Sequence, residues 1–419
     1  MADTTPIRVL LSAYQCGAGM GSVSQIGWEW YSRLSQRCQV TLLTHTRNRA
    51  TLEAAGVNPA NVIYIDTEWF AGPLYRFATR CFPHSEHPRF LISSLDFFVY
   101  DWMAIRHCQQ LMKLGQTWDI VHAVTPVSPL AATRLHQLKL PVILGPWNGA
   151  LTSPTTFPEI MKAESKWLYP VRNFGRVIDA VVGSTRHAAL IFTATRATLA
   201  GIAPRYHSKC QPLIENGVDL SLFTATPWPD APSDHQPLRI VFVGRLLPVK
   251  GVGMLLEAVK ALTFPVQLTI VGEGSERAAL EQQTAALGLT ALVTFTGNLP
   301  LAEVAHAIAE GHVFCLPSVR ESGGAVLLEA MAVERPVIAI DFGGPAEIVD
   351  AAVGIKLPAT GKADVINGLI AAFTELRANP DAWRTRGLAG RKRVAEQFSW
   401  DAKIATAVRY YHQLLGRSA

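Results

Sequence analysis

The chain has 419 residues, enough for two domains or one large one, and too many for a small fold held together by disulfides. Hydrophobic residues make up 49% and charged residues 17%, which excludes a disordered, collagenous or coiled-coil chain. The 38 Lys and Arg exceed the 33 Asp and Glu by only five, without the dense basic runs of a nucleic-acid binder.

The first apolar run, Ile7 to Ser12, ends at a loop bearing Gly17, Gly19 and Gly21, and a helix pattern follows from about Ser24 to Ser35. Further apolar runs come at 40–43, 62–65, 120–122, 142–144 and 189–193, separated by helical or loop patterns. This alternation predicts a buried parallel sheet covered by helices. The stretch from Thr224 to Pro237 holds four prolines and reads as an interdomain linker. A second series then begins, with strands expected at 239–243, 266–271, 293–296, 313–316 and 337–339. Apolar residues at helical spacing, Ile404, Val408, Tyr411 and Leu415, predict a final amphipathic helix. The expected class is α/β, with a first domain over 1–223, a linker over 224–237 and a second domain over 238–399. In such folds the ligand sits at the carboxyl ends of the strands, here in the cleft that two such domains would face.

Six cysteines, Cys16, Cys38, Cys81, Cys108, Cys210 and Cys315, show neither a CxxC pair nor metal-ligand spacing, so reduced thiols and no zinc site are expected. The N-terminus lacks a signal-peptide pattern, and the longest uncharged stretch, 140–158, carries four prolines, so a cytoplasmic chain with at most peripheral membrane contact is expected.

Two segments of the second half can carry chemistry. After the strand ending at Val243 comes Gly244-Arg245-Leu246-Leu247-Pro248-Val249-Lys250-Gly251, where two cations and flexible backbone suit a diphosphate; a plain strand-to-helix turn with solvated charges is the alternative. Further on, Glu321-Ser322-Gly323-Gly324 opens a helix that continues through Glu329. Glycines at a helix start leave N–H groups aimed at an anion, and Glu329, two turns on in an apolar run, suits a ribose diol.

Together these residues resemble the retaining GT-B glycosyltransferases of family 4, the glycosyl transferases group 1. The diphosphate turn matches Gly244-Arg245-Leu246 with Lys250-Gly251, and the family's E-x7-E signature matches Glu321 and Glu329. The resemblance implies two Rossmann-like domains facing a central cleft, with the final helix, about 400–419, returning to the first. It implies that Arg245 and Lys250 grip the diphosphate, that Glu329 binds the ribose, and that Glu321, Ser322, Gly323 and Gly324 hold sugar and phosphates, with Gly244 in the turn. The loop with Gly19 and Gly21 resembles one that closes over donor and acceptor, and Gly145-Pro146-Trp147-Asn148-Gly149 resembles an acceptor-side cleft loop. Where relatives carry a histidine this chain has Trp147, so His122 is the substitute candidate near the anomeric carbon, with a structural histidine as the alternative. Val333-Glu334 stands where relatives often have a small residue and a glycine.

The resemblance further implies transfer with retention from a nucleoside-diphosphate sugar, UDP by family frequency; because Arg245, Lys250 and the helix start at Gly323-Gly324 already bring positive charge to the phosphates, no metal or other cofactor is expected. The expected acceptor is a glycan, a lipid-linked precursor or a small molecule. Between Tyr64 and Trp118, Trp69, Phe70, Tyr75, Phe77, Phe82, Phe90, Phe97, Phe98, Tyr100 and Trp102 interleave with Arg76, Arg80, Arg89 and Arg106. That mixture suits an anionic membrane surface or a sugar-stacking groove; core aromatics with solvated arginines are the alternative. Competing readings are a non-catalytic nucleotide-sugar-binding protein, a sugar-nucleotide epimerase, and a dinucleotide-dependent oxidoreductase, the last opposed by the missing GxGxxG register.

Overall fold

The computed structural model describes residues 6–83, 89, 92–151, 154–161 and 177–417. Apolar strand segments stack into two all-parallel sheets. The first sheet has the order β3-β2-β1-β4-β5-β6-β7 and comprises β1 (Arg8–Ala13), β2 (Gln39–His45), β3 (Val62–Ile65), β4 (Ile120–Thr125), β5 (Val142–Trp147), β6 (Leu190–Thr193) and β7 (Cys210–Pro212). The second has the order β10-β9-β8-β11-β12-β13. Its strands are β8 (Leu238–Val243), β9 (Val266–Val271), β10 (Val293–Gly297), β11 (Val313–Leu316), β12 (Val337–Ile340) and β13 (Gly354–Leu357). Each expected run is a strand, and short β7 and β13 extend the two sheets at their edges. Among the described residues every ladder pairing is parallel, as helical crossovers require.

The chain divides into two compact units. The first comprises Met1–Ala150, Ser165–Glu215 and Lys403–Ala419; the second comprises Leu151–Glu164 and Asn216–Ala402. Helices named below are α1 (Ser22–Leu34), α2 (Glu68–Cys81), α3 (Asp96–Lys113), α4 (Val252–Ala261), α5 (Ala325–Ala332) and α6 (Trp400–Leu415).

Central strands β1 and β4 are buried except at Arg8 and Ala123, which are partly exposed, as a sheet covered on both faces demands. The first unit's core joins Leu10, Val121 and Leu144 from the sheet to Phe97, Tyr100 and Ile105 of α3. Burying one such side chain contributes about 1.5–3 kcal/mol, so these contacts hold α3 against the sheet. The last helix turns Ile404, Ala407 and Tyr411 inward. From Lys403 onward it belongs to the first unit, where Tyr410 Oη meets Gln211 Oε1 at 3.0 Å.

The proline-rich stretch 224–237 packs on the second unit. The fully buried guanidinium of Arg335 donates to Thr226 O (3.0 Å), Pro227 O (2.9 Å) and Val333 O (2.7 Å). Trp228 Nε1 donates to His312 O at 2.9 Å, and Arg377 Nη1 to Pro232 O at 2.9 Å. Proline removes backbone donors, but carbonyls that remain in this stretch accept from Arg335 and Arg377.

Glu334 follows α5 with φ of +65°. Arg335 N bonds Ala330 O and Glu334 N bonds Met331 O, the paired hydrogen bonds of a Schellman C-terminus. Glycine is the easy residue in that left-handed position, so a glutamate here departs from the backbone's preference.

Candidate functional site

In each sheet the strand order reverses between its first strand and the fourth, and at such a switch point the connecting loops leave on opposite faces and open a crevice. In the second unit β8 lies beside β11, with Val241 opposite Phe314. The loops after these two strands are the two segments singled out by sequence, and they meet although about seventy residues separate them. Val319 N bonds Val249 O at 2.9 Å, tying the loops together.

Gly251 makes that approach possible. It has φ of +67°, and a Cβ there would stand 2.2 Å from Pro317 O. Lys250, the residue before it, forms an ion pair with Glu321 Oε2, both side chains being more than four-fifths buried. Glu321 Oε1 faces Gly324 N at 3.4 Å, at the entrance to α5. Gly323 and Gly324 are buried and Ser322 is exposed. The loop rests on Gly343, whose φ is +66° and whose Cβ would stand 2.0 Å from Glu321 O; Gly344 N donates to that oxygen at 3.0 Å.

Arg245 is exposed just after β8, next to Gly244, and its side chain has no hydrogen-bond or ion-pair partner among the described residues. Glu329 lies on the second turn of α5, half-buried, and its carboxyl has no such partner among them either. Burial pushes its carboxyl up from 4.5 to about 7. Arg245, Lys250, Glu321, Ser322, Gly323, Gly324 and Glu329 thus all belong to the second unit and to loops or a helix of one switch point. The arrangement offers an anion two cations and the first N–H groups of an eight-residue helix.

The remaining expected residues lie in the first unit. Gly19 and Gly21 have φ of +72° and +41° in the loop between β1 and α1, where Gly19 N donates to Gln25 Oε1 at 2.8 Å. Trp147 ends β5, is buried, and lines a small pocket with Ser12, Thr125, Thr133 and Phe97. Asn148 donates from its amide to Glu215 and from its backbone to Val127 O at 2.7 Å.

His122 takes the structural alternative, and its expected catalytic role is corrected. It has no exposed surface and stacks edge-on to Trp30 at 4.8 Å. Its Nε2 lies 2.7 Å from Gly145 O, an acceptor, so Nε2 carries the proton; Nδ1 therefore accepts from Tyr411 Oη at 2.6 Å. Burial holds its pKa down at about 3. Both nitrogens are occupied and the ring stays neutral, as befits a side chain joining β4 to β5 and α6.

Sequence reasoning missed two polar clusters in the first unit. Tyr14 Oη donates to Asp96 Oδ2 at 2.7 Å, Thr67 Oγ1 to Asp96 Oδ1 at 2.5 Å, and Arg47 Nη2 reaches Asp96 Oδ2 at 3.3 Å. His45 Nδ1 accepts from Arg47 N at 3.0 Å, so its Nε2 donates to Thr67 Oγ1 at 2.8 Å. The second cluster is buried Lys403, which donates to Ile214 O beside buried Glu215; desolvation lowers its pKa to about 7 against the raising effect of Glu215. A lysine on the buried stripe of α6 was its only signal in the sequence. Among the described residues no three His, Cys, Asp or Glu side chains gather as metal ligands.

Residues 229–389 match the family described as glycosyl transferases group 1. The matched segment lies within the second unit. The chain is 32% identical over 205 residues to alpha-maltose-1-phosphate synthase of Mycolicibacterium smegmatis, covering 45% of this chain and 53% of that protein. It is 31% identical over 204 residues to phosphatidyl-myo-inositol mannosyltransferase of Mycobacterium leprae, covering 47% and 52%. The chain thus spans about half the length of the curated relatives it matches. The crystal structure of Anabaena Alr3699/HepE in complex with UDP and glucose shares the fold, with a TM-score of 0.62, 17% identity, and coverage of 97% of this chain and 100% of that one. WaaG, a glycosyltransferase involved in lipopolysaccharide biosynthesis, matches with a TM-score of 0.58, 17% identity, and coverage of 95% and 98%. The fold is GT-B, with two Rossmann-like parallel-sheet domains.

Proposed function

We propose that the protein is a retaining glycosyltransferase that moves a sugar from a nucleoside-diphosphate sugar, UDP-linked, to a hydroxyl of a glycan or lipid-linked acceptor. The observation that carries this reading is the convergence at one switch point of Arg245, the Lys250–Glu321 pair, the N-terminus of α5 and the unpartnered Glu329 carboxyl. The UDP named with HepE supports the choice of nucleotide, and the lipid named for the mannosyltransferase supports a membrane-borne acceptor.

The bond between the anomeric carbon and the diphosphate breaks with its electron pair passing to the phosphate. Negative charge grows there, and Arg245, Lys250 and the amide tip at Gly323-Gly324 are stronger partners for that state than for the intact donor. This supply of positive charge requires no divalent ion. In free protein Lys250 is paired with Glu321, so donor binding redirects the ammonium to phosphate and leaves Glu321 to accept from sugar hydroxyls. Glu329, when ionised, accepts from the ribose diol. The acceptor oxygen attacks from the face the phosphate leaves, and its proton passes to a phosphate oxygen of the departing group, so configuration is retained without a protein base.

The test is UDP release from UDP-sugars with candidate acceptors. Arg245→Ala and Lys250→Ala are each expected to lower kcat/KM by about 10²–10³ at intact fold. Full activity in both variants refutes the assignment; UDP binding without turnover by wild type favours a non-catalytic binding protein, and interconversion of the donor sugar favours an epimerase.

A further inference from the structure

Burial divides the aromatic segment of the first unit. Phe97 and Tyr100 of α3 are core residues, whereas Trp69 and Phe77 of α2 are 64% and 60% exposed. Phe90 lies outside the described residues. On α2 the buried side is set by Ala71 and Ala78. At 100° per residue, Trp69, Pro73, Arg76, Phe77 and Arg80 fall on the opposite side as one stripe, and all five are exposed. Neither guanidinium of the stripe has a hydrogen-bond or ion-pair partner among the described residues, and the stripe contains no acid. Glu68, at the first position of the helix, is held by Arg47, and exposed Asp66 precedes the helix.

We propose that this stripe of α2 docks the first unit on an anionic lipid surface, with Trp69 and Phe77 entering the headgroup layer and Arg76 and Arg80 facing lipid phosphates. Unpaired cations between exposed rings are complementary to a negatively charged interface, where rings gain burial and guanidinium groups keep their hydration. A 14-residue helix is too short to span a bilayer, and none of the described helices is long and apolar enough to do so, so the contact is peripheral. Resting on the transfer reading above, this narrows the acceptor to one presented at a membrane.

The test is co-sedimentation of the full chain with phosphatidylcholine vesicles with and without one-third phosphatidylglycerol. Alongside it, sedimentation velocity without lipid and the thermal shift produced by UDP are measured on the same preparations. Wild type is expected to partition to the anionic vesicles and far less to the neutral ones. Arg76→Gln with Arg80→Gln is expected to lower that partition roughly thirtyfold, and Trp69→Ser with Phe77→Ser roughly tenfold or more, with melting temperature and UDP shift unchanged. No partition by wild type, equal partition to both vesicle types, or wild-type partition in both variants overturns the proposal. So does a dimer that Trp69→Ser with Phe77→Ser dissociates, which assigns the stripe to a second copy of the chain. Absence of a UDP shift in wild type counts against the transfer reading alone, because vesicle partition is scored without donor or turnover.

Discussion

Replacing Glu329 with glutamine separates the site's function from the fold's stability in opposite directions. Burial raises the carboxyl from 4.5 to about 7, so the folded chain holds a proton there that the unfolded chain has released. Between those two values the folded state binds more protons, and stability falls as pH rises through the interval. The span of the shift corresponds to about 3 kcal/mol; the partial opening of Glu329 to solvent reduces this to ~1–2 kcal/mol. Glutamine is a near-isostere that never ionises, so Glu329→Gln is expected to stabilise the free protein by that amount at pH 8 and by much less at pH 5. It removes the anion proposed to accept from the ribose, so UDP binding is expected to weaken at pH 8 by about 1.5–3 kcal/mol, the range for hydrogen bonds to a charged group. Wild-type affinity itself is expected to fall as pH drops below 7, while the variant's stays level. Urea unfolding at the two pH values, with calorimetric titration of UDP, reads each quantity. A variant no more stable than wild type at pH 8, or one whose advantage persists undiminished at pH 5, refutes the reasoning.

Tyr411→Phe removes the hydroxyl that donates to His122 Nδ1 and strands a buried acceptor, so a loss of about 1–3 kcal/mol is expected in urea unfolding, with UDP binding intact. Since the folded pKa of His122, about 3, lies below the usual 6.5, the unfolded chain takes up the proton first, and this residue's contribution to stability is lost as pH falls from 6.5 toward 3. An undisturbed unfolding midpoint in Tyr411→Phe contradicts the structural assignment. Glu334→Gly relieves the left-handed backbone after α5, worth about 1–2 kcal/mol, against 0.5–1 kcal/mol of extra chain entropy in the unfolded state. A net gain of about 0.5–1 kcal/mol in the same assay is therefore expected, and a loss indicates that the glutamate side chain makes a contact of greater worth.

Alternation of apolar runs with helical periods was legible along the chain because strand and helix patterns are local, and both parallel sheets follow from it. The two candidate segments of the second unit were legible for a similar reason: the Arg245–Lys250 turn and the Glu321–Glu329 helix start are each contiguous. Their contact was not, because it depends on β11 entering the sheet beside β8, a pairing between strands about seventy residues apart. His122 shows the limit most sharply. Its role depends on Tyr411, 289 positions away, filling one side of the ring while Gly145 fills the other. Likewise Phe97 and Trp69 belong to one aromatic-rich segment and have opposite fates, core and surface, decided by which side of each helix is packed against its neighbours. Composition and spacing set the elements and their chemistry; partners distant in sequence set which groups are exhausted by the fold and which remain exposed or unpaired, since burial and hydrogen-bond satisfaction are properties of neighbours in space.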